Sequence, residues 1–169
     1  RGPESLGKCP PVIKGKSVVM AEGSDVSVIA VGDMVETAVR AAEVLRNNGI
    51  SAEVINARFI KPLDEKRICA SAKKTGRVVT IENNTAVGGF GSAVMKLLSD
   101  NRINVDFKAM GFPDMPVSHG SKNEIIEKYG LDFRSVAEKI MDFISEKQSQ
   151  GVDGLEGKIG RLASKKRVF

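Results

Sequence analysis

Acid–base work needs titratable groups that converge, and this sequence offers few. Its single histidine, His119, follows the loop-forming run Gly111-Phe112-Pro113-Asp114-Met115-Pro116. As a general base it needs a partner such as Asp114 or Glu82. Without one, a loop histidine contacts backbone or solvent. Gly88-Gly89-Phe90-Gly91-Ser92 follows an apolar run and precedes a helical pattern. Amides at such a helix start can cradle a phosphate. The run is not the dinucleotide fingerprint, because Val94 stands where the third glycine belongs, and no Lys-Ser/Thr pair follows as in a P-loop. Close packing of helix on sheet explains the same glycines without a ligand.

Arg58 and Asp64 flank the turn Phe59-Ile60-Lys61-Pro62-Leu63. The forked guanidinium of Arg58 suits an anionic ligand. It suits equally a carboxylate such as Glu82, and that pair would fix loops without chemistry. Asp64 is placed to cap the helix that follows. No cluster of His, Cys, Asp and Glu has metal-ligand spacing, and no G-x-S-x-G elbow occurs. Taken alone, the residues make no complete catalytic set.

The elements that must position these residues follow from length and pattern. One domain is the expected count for 169 residues. Residues 1–15 are dense in Gly and Pro and are expected to be an interdomain linker. Lys16 to Ala21 predicts a strand, Glu22 to Asp25 a tight turn, and Val26 to Val31 a strand buried on both faces. So short a turn predicts an antiparallel pair, with the first strand at an edge. Asp33 with Glu36 resembles a capping box for a helix carrying Val35, Ala38, Val39, Ala42 and Leu45 on one stripe, stopped at Gly49. Ala52 to Ala57 returns as a parallel strand. A helix runs from Asp64 to about Lys74, and a strand from Arg77 to Ile81. Ser92 to Ser99 is helical and Asn104 to Ala109 extended. Ser121 with Glu124 opens another helix, and Asp132 opens the last, striped by Val136, Ile140, Phe143 and Ile144.

Strands alternating with helices imply a three-layer α/β/α sandwich around a five-stranded, mostly parallel sheet with one antiparallel edge strand. Right-handed crossovers bring segments 32–36, 58–64, 82–91 and 110–120 to one edge. The domain is expected over residues 16–147, with a basic, flexible tail over 148–169. Much of the net charge of +5 lies in that tail, at Lys158, Arg161, Lys165, Lys166 and Arg167. The remaining charge is of mixed sign, so nucleic acid is not an expected partner. Cys9 and Cys69 are too few for a disulfide framework and fit a reducing, cytoplasmic compartment. No apolar run reaches the ~20 residues of a membrane span. The chain starts without Met, as a fragment of a longer chain would.

Four motifs in order carry a resemblance: Arg58-Phe-Ile-Lys-Pro-Leu-Asp64, Thr80-Ile-Glu-Asn83, Gly88-Gly-Phe-Gly-Ser92 and Gly111-Phe-Pro-Asp114. Together they resemble the C-terminal, third domain of the transketolase-like thiamine diphosphate enzymes. The Asp114-to-His119 loop and Tyr129-Gly-Leu-Asp132 make the pattern most similar to the 1-deoxy-D-xylulose-5-phosphate synthase branch. The resemblance covers residues 1 to about 145. It implies a transferase that joins pyruvate, after decarboxylation on thiamine diphosphate, to D-glyceraldehyde 3-phosphate. It implies that thiamine diphosphate and Mg2+ are held by N-terminal and middle domains, in a homodimer, and that this domain alone binds neither and is inactive. Arg1 is then a substrate-phosphate ligand, the end of a Tyr-Pro-Arg-Gly segment. Arg58, Asp64, Glu82, Gly88, Gly89, Gly91 and His119 take structural or interface roles. The alternatives are another thiamine enzyme (transketolase or a 2-oxoacid dehydrogenase β subunit), a free-standing nucleotide-binding module, or a nucleic-acid arm in the tail.

Overall fold

A computed structural model describes residues 11–115 and 121–146. Arg1, His119 and the 148–169 tail therefore lie outside the described residues. The chain divides into two compact units, Arg1–Ala137 and Glu138–Phe169. The first holds the strands β1 (Val18–Ala21), β2 (Val26–Ala30), β3 (Ala52–Asn56), β4 (Arg77–Thr85) and β5 (Asp106–Phe112). Between them run the helices α1 (Met34–Asn47), α2 (Glu65–Thr75) and α3 (Phe90–Asp100), and α4 (Lys122–Lys128) follows β5. Residues 133–146 are also helical, and in the second unit Ile140, Phe143 and Ile144 are buried. No described helix is long and apolar enough to cross a membrane.

The strands make one five-stranded sheet in the order β1-β3-β2-β4-β5, parallel except for the β1–β3 pair. The antiparallel edge strand is present, but its partner differs from the expected one. The short turn does not close a β1–β2 hairpin, because β3 lies between the two strands. The 22–25 segment crosses the start of β3, with the amides of Ser24 and Asp25 both donating to Ser51 O. Gly23 makes the crossing possible. A Cβ there would lie 2.2 Å from Ala52 C and 2.3 Å from Glu53 N.

β2 is buried along its whole length, as its β-branched run requires. Above one face, Ile29, Ile55 and Val78 of the sheet pack with Ile68 and Ala72 of α2 and Phe90, Val94 and Leu98 of α3. α1 covers the other face with Met34, Val35, Ala38, Ala41, Ala42 and Leu45. Val39, expected on that stripe, is only half-buried and Ala41 takes its place. At the C-terminus of α1, Gly49 adopts φ 79° and Ile50 N bonds Leu45 O at 3.0 Å, closing the helix with a left-handed residue.

α2 begins as its cap residue dictates. Asp64 accepts from Arg67 N at 3.4 Å, and also from Ser17 N at 3.0 Å and Ser17 Oγ at 3.1 Å. One carboxylate thus caps a helix and pins the approach to β1. Burial pushes its pKa up, but the Ser17 amide and hydroxyl, the Arg67 amide and the nearby Lys16 charge outweigh burial, so the carboxyl is held below its usual value. A depressed folded-state pKa gives stability that is complete above the unfolded value, ~3.9, and lost as pH falls through the folded value. Asp64→Ala is therefore expected to cost about 1–2 kcal/mol at pH 7. It should also flatten the fall in stability below about pH 4. Urea midpoints of both proteins between pH 7 and 2.5 check this, and parallel curves would contradict it.

The α2–sheet contact hides a polar chain. Ser27 Oγ bonds Ser71 Oγ at 2.5 Å and Thr75 Oγ1 at 2.8 Å, all three residues buried. The Ser71 hydroxyl donates to the buried Glu53, whose other oxygen meets Lys74 Nζ at 2.6 Å. The Glu53 bond raises the Lys74 pKa. A buried carboxylate is tolerable here because it is both paired and hydrogen-bonded.

Candidate functional site at the carboxyl edge of the sheet

β2 leads through α1 to β3 on one side, and β3 leads through α2 to β4 on the other. The strand order therefore reverses between β2 and β4. Ligands of open α/β sheets settle outside the carboxyl ends of strands at such a reversal. A cleft of ≈ 710 Å³ lies there, lined among others by Val31, Asp33, Ile60, Lys61, Asn84, Phe90 and Lys96.

Glu82 governs the shape of this edge. It sits in β4, 3% exposed. Its Oε2 accepts from Phe90 N and its Oε1 from Gly91 N, both at 2.8 Å. The N-cap residue of α3 is Gly89, which has no side chain to offer. The cap comes instead from the neighbouring strand. A full negative charge at this helix start balances the dipole and satisfies two amides. The close approach demands small residues. A Cβ on Gly89 would lie 2.1 Å from Glu82 Oε2, and one on Gly91 would lie 2.6 Å from Thr80 Oγ1. A phosphate arriving at these amides would meet the Glu82 carboxylate already there. Gly88, at φ 73°, turns the chain, and its amide donates to Ser92 Oγ at 3.0 Å.

Asp33 does not cap α1. Its backbone is itself helical, and its side chain makes no cap bond. Its Oδ2 accepts from Asn83 Nδ2 at 2.9 Å and pairs with Lys122 Nζ at 2.5 Å. This carboxylate ties together the β2–α1 turn, β4 and the start of α4. Ser121 and Glu124 form a complete capping box for α4. β5 extends through Gly111 and Phe112 before the chain turns, so part of the expected loop is strand. The cause is renewed pairing with β4, which runs on to Thr85 beyond an irregularity after Ile81.

Arg58 lies just past β3 with φ 58°, a conformation that non-glycine residues adopt at a cost of about 1–2 kcal/mol. Its amide donates to Asn56 Oδ1 at 3.0 Å and its Nη1 to Pro11 O at 2.9 Å. Both oxygens of Glu82 serve the α3 amides, so the Arg58–Glu82 pair considered from sequence does not form. The edge thus brings together Arg58, Glu82, Gly88, Gly89 and Gly91, while Asp64 serves the α2 start and β1. Sequence reasoning missed the role of Asn83 and Lys122 as partners of Asp33. The signal available was weak, since only the fold brings residues so distant in sequence together. Among the described residues no group of three or more His, Cys, Asp or Glu is placed to hold a metal.

Fold and site define a doubly wound α/β domain whose phosphate-like helix start carries an internal carboxylate. A family model for the transketolase C-terminal domain matches residues 15–136, and the chain belongs to that family. Two 1-deoxy-D-xylulose-5-phosphate synthases are among its relatives. That of Desulforudis audaxviator is 50% identical over 118 residues, 69% of this chain and 19% of the relative. That of Caldanaerobacter subterraneus is 39% identical over 145 residues, 86% of this chain and 23% of the relative. The chain thus spans about a fifth of the length of these curated relatives. Among solved structures, a split-gene transketolase described as an inactive β4 tetramer matches with TM-score 0.78 and 33% identity, over 85% of this chain and 46% of that one. Transketolase from Campylobacter jejuni shares the fold, with TM-score 0.58 and 16% identity over 78% of this chain and 19% of that one.

Proposed function

We propose that this chain is the C-terminal domain of a thiamine diphosphate-dependent synthase that condenses pyruvate, with loss of carbon dioxide, and D-glyceraldehyde 3-phosphate. The observation that carries this reading is the run of 1-deoxy-D-xylulose-5-phosphate synthases matching over most of the chain at 39–50% identity. The described residues do not fit the cofactor. The helix start that would take a diphosphate is occupied by the Glu82 carboxylate, and no described carboxylate cluster has a magnesium-like arrangement. In this reading thiamine diphosphate and Mg2+ belong to N-terminal and middle domains of a homodimeric, cytoplasmic enzyme. Residues 16–147 form the domain, and the tail adds no catalytic group.

Within this reading Arg58 is the residue that faces the acceptor substrate. A guanidinium matches a phosphate with two parallel donors. A strained backbone at a strand end is where functional side chains are held. Arg1 remains a second phosphate ligand in the proposal.

A chimera tests the whole. The D. audaxviator synthase would carry residues 15–136 of this chain in place of its own matching segment. The isolated 169-residue chain is expected to give no product from pyruvate and D-glyceraldehyde 3-phosphate, and the chimera to give 1-deoxy-D-xylulose 5-phosphate. Arg58→Ala in the chimera should raise KM for the phosphorylated aldehyde at least tenfold and leave KM for pyruvate within twofold. Turnover by the isolated chain, or an inactive but folded chimera, would overturn the reading.

A further inference from the structure

Asn48 is the one asparagine of the sequence followed by glycine, in the run Asn47-Asn48-Gly49-Ile50. An asparagine amide is open to attack by the backbone nitrogen of the next residue. A side chain on that residue hinders the approach, and glycine has none. Both Asn48 and Gly49 are exposed to solvent. They end α1, and helix ends are where a fold opens most cheaply. The space around Gly49 is open too, since nothing lies within 4 Å of its Cβ position. The closed turn nonetheless blocks the reaction. The Gly49 amide donates to Arg46 O at 3.0 Å, and Asn48 Nδ2 donates to Val44 O at 2.9 Å. Ring closure needs the Gly49 nitrogen eclipsed with Asn48 Cβ. At ψ 15° for Asn48 it nearly eclipses the Asn48 nitrogen instead.

We propose that Asn48 is a site of spontaneous deamidation that reacts only while the last turn of α1 is open. With the turn open, the Gly49 amide gives its proton to solvent and its nitrogen attacks Asn48 Cγ. The new C–N bond closes a succinimide ring, the Cγ–Nδ2 bond breaks, and ammonia leaves carrying a proton taken back from solvent. Water then opens the ring at either carbonyl and leaves aspartate or isoaspartate at position 48. No oxidant or reductant enters. Neither product suits the place. A carboxylate there meets the negative end of the α1 dipole. Isoaspartate also lengthens the backbone by one carbon just before Ile50, whose amide bonds Leu45 O at 3.0 Å. Ser51 follows, and its carbonyl and amide hold the 22–25 crossing through Ser24 and Asp25. The site therefore records how often this end of α1 opens, and each event loosens the crossing.

Peptide mapping of the full chain tests this. Trypsin releases residues 47–58, between Arg46 and the bond after Arg58. The chain is warmed in mildly alkaline buffer, native or unfolded in urea, and fragment masses follow the conversion of amide to acid at each asparagine of that peptide. Conversion at Asn48 is expected to be at least tenfold slower in the native chain. Hydrogen exchange of the native Gly49 amide should be slowed by a factor of the same order, because both events need the same bond broken. Equal rates of deamidation in the two states would overturn the proposal. So would an unfolded chain in which Asn48 converts no faster than Asn47 or Asn56. Ile50→Pro removes one of the amides that close the turn. It is expected to speed native conversion at least threefold and to leave the unfolded rate within twofold. A folded Ile50→Pro protein with the parent's native rate would show that this turn is not the gate. Should that variant not fold, the native and unfolded rates of the parent chain decide alone.

Discussion

Glu82→Ala is expected to cost about 3–5 kcal/mol, because it strips two buried helix-start amides of their acceptor at once. Each unsatisfied buried donor costs about 1–3 kcal/mol, and the emptied volume adds to this. The loss is large because both carboxylate oxygens serve the helix start. Gly89 has no side chain to replace it, and Thr80 Oγ1 is a buried hydroxyl without a hydrogen-bond partner. Glu82→Gln keeps the volume and one acceptor. Its NH2 must then face the N–H of Phe90 or Gly91, donor against donor, so it recovers only part of the loss. Chemical denaturation of the three proteins gives the comparison. A Glu82→Ala midpoint close to that of the parent would mean the cap is dispensable. Hydrogen exchange should localise the damage to the first turn of α3 and the 83–88 segment.

Gly23→Ala should be comparably severe for a different reason. The added methyl would fall 2.2 Å from Ala52 C and 2.3 Å from Glu53 N, both backbone. A side chain can rotate away, but the paired backbone at the start of β3 cannot. Overpacking typically costs about 1–3 kcal/mol; against the paired Ala52–Glu53 peptide unit a loss near ~3 kcal/mol is expected. Gly32→Ala is the fitting control. Gly32 has φ 65° but nothing within 4 Å of its Cβ position, so only the left-handed conformation is penalised, by about 1 kcal/mol. Exchange at β1 amides should accelerate in Gly23→Ala alone. Equal stability of the two variants would show that the crossing over β3 yields easily.

Local signals made most of the fold legible. The nearly continuous β-branched run Val26 to Val31 announced a strand buried on both faces, and Asp64, Gly49 and the Ser121–Glu124 pair marked helix ends that the structure uses. The failures share a cause. The antiparallel edge strand was legible from its short turn, yet its partner was not, because β3 inserts between β1 and β2 from later in the chain. Asp33-x-x-Glu36 has the form of a cap, but a tertiary partner, Lys122, competes for the carboxylate and prevails. Glu82 shows the converse, since a helix cap that comes from a strand leaves no contiguous pattern. The Ser27–Ser71–Glu53–Lys74 chain was equally invisible. Small hydroxyls within apolar runs look like ordinary interruptions until the fold aligns them.

The internal carboxylate at the head of α3 also settles how this domain responds to its surroundings. A phosphate bound at a helix start of this kind would add stability only while it is present. Here the counter-anion is covalently part of the chain and is always present. The head of α3 therefore keeps one shape whether phosphates are abundant or scarce, and any response to a phosphorylated substrate must originate in other residues.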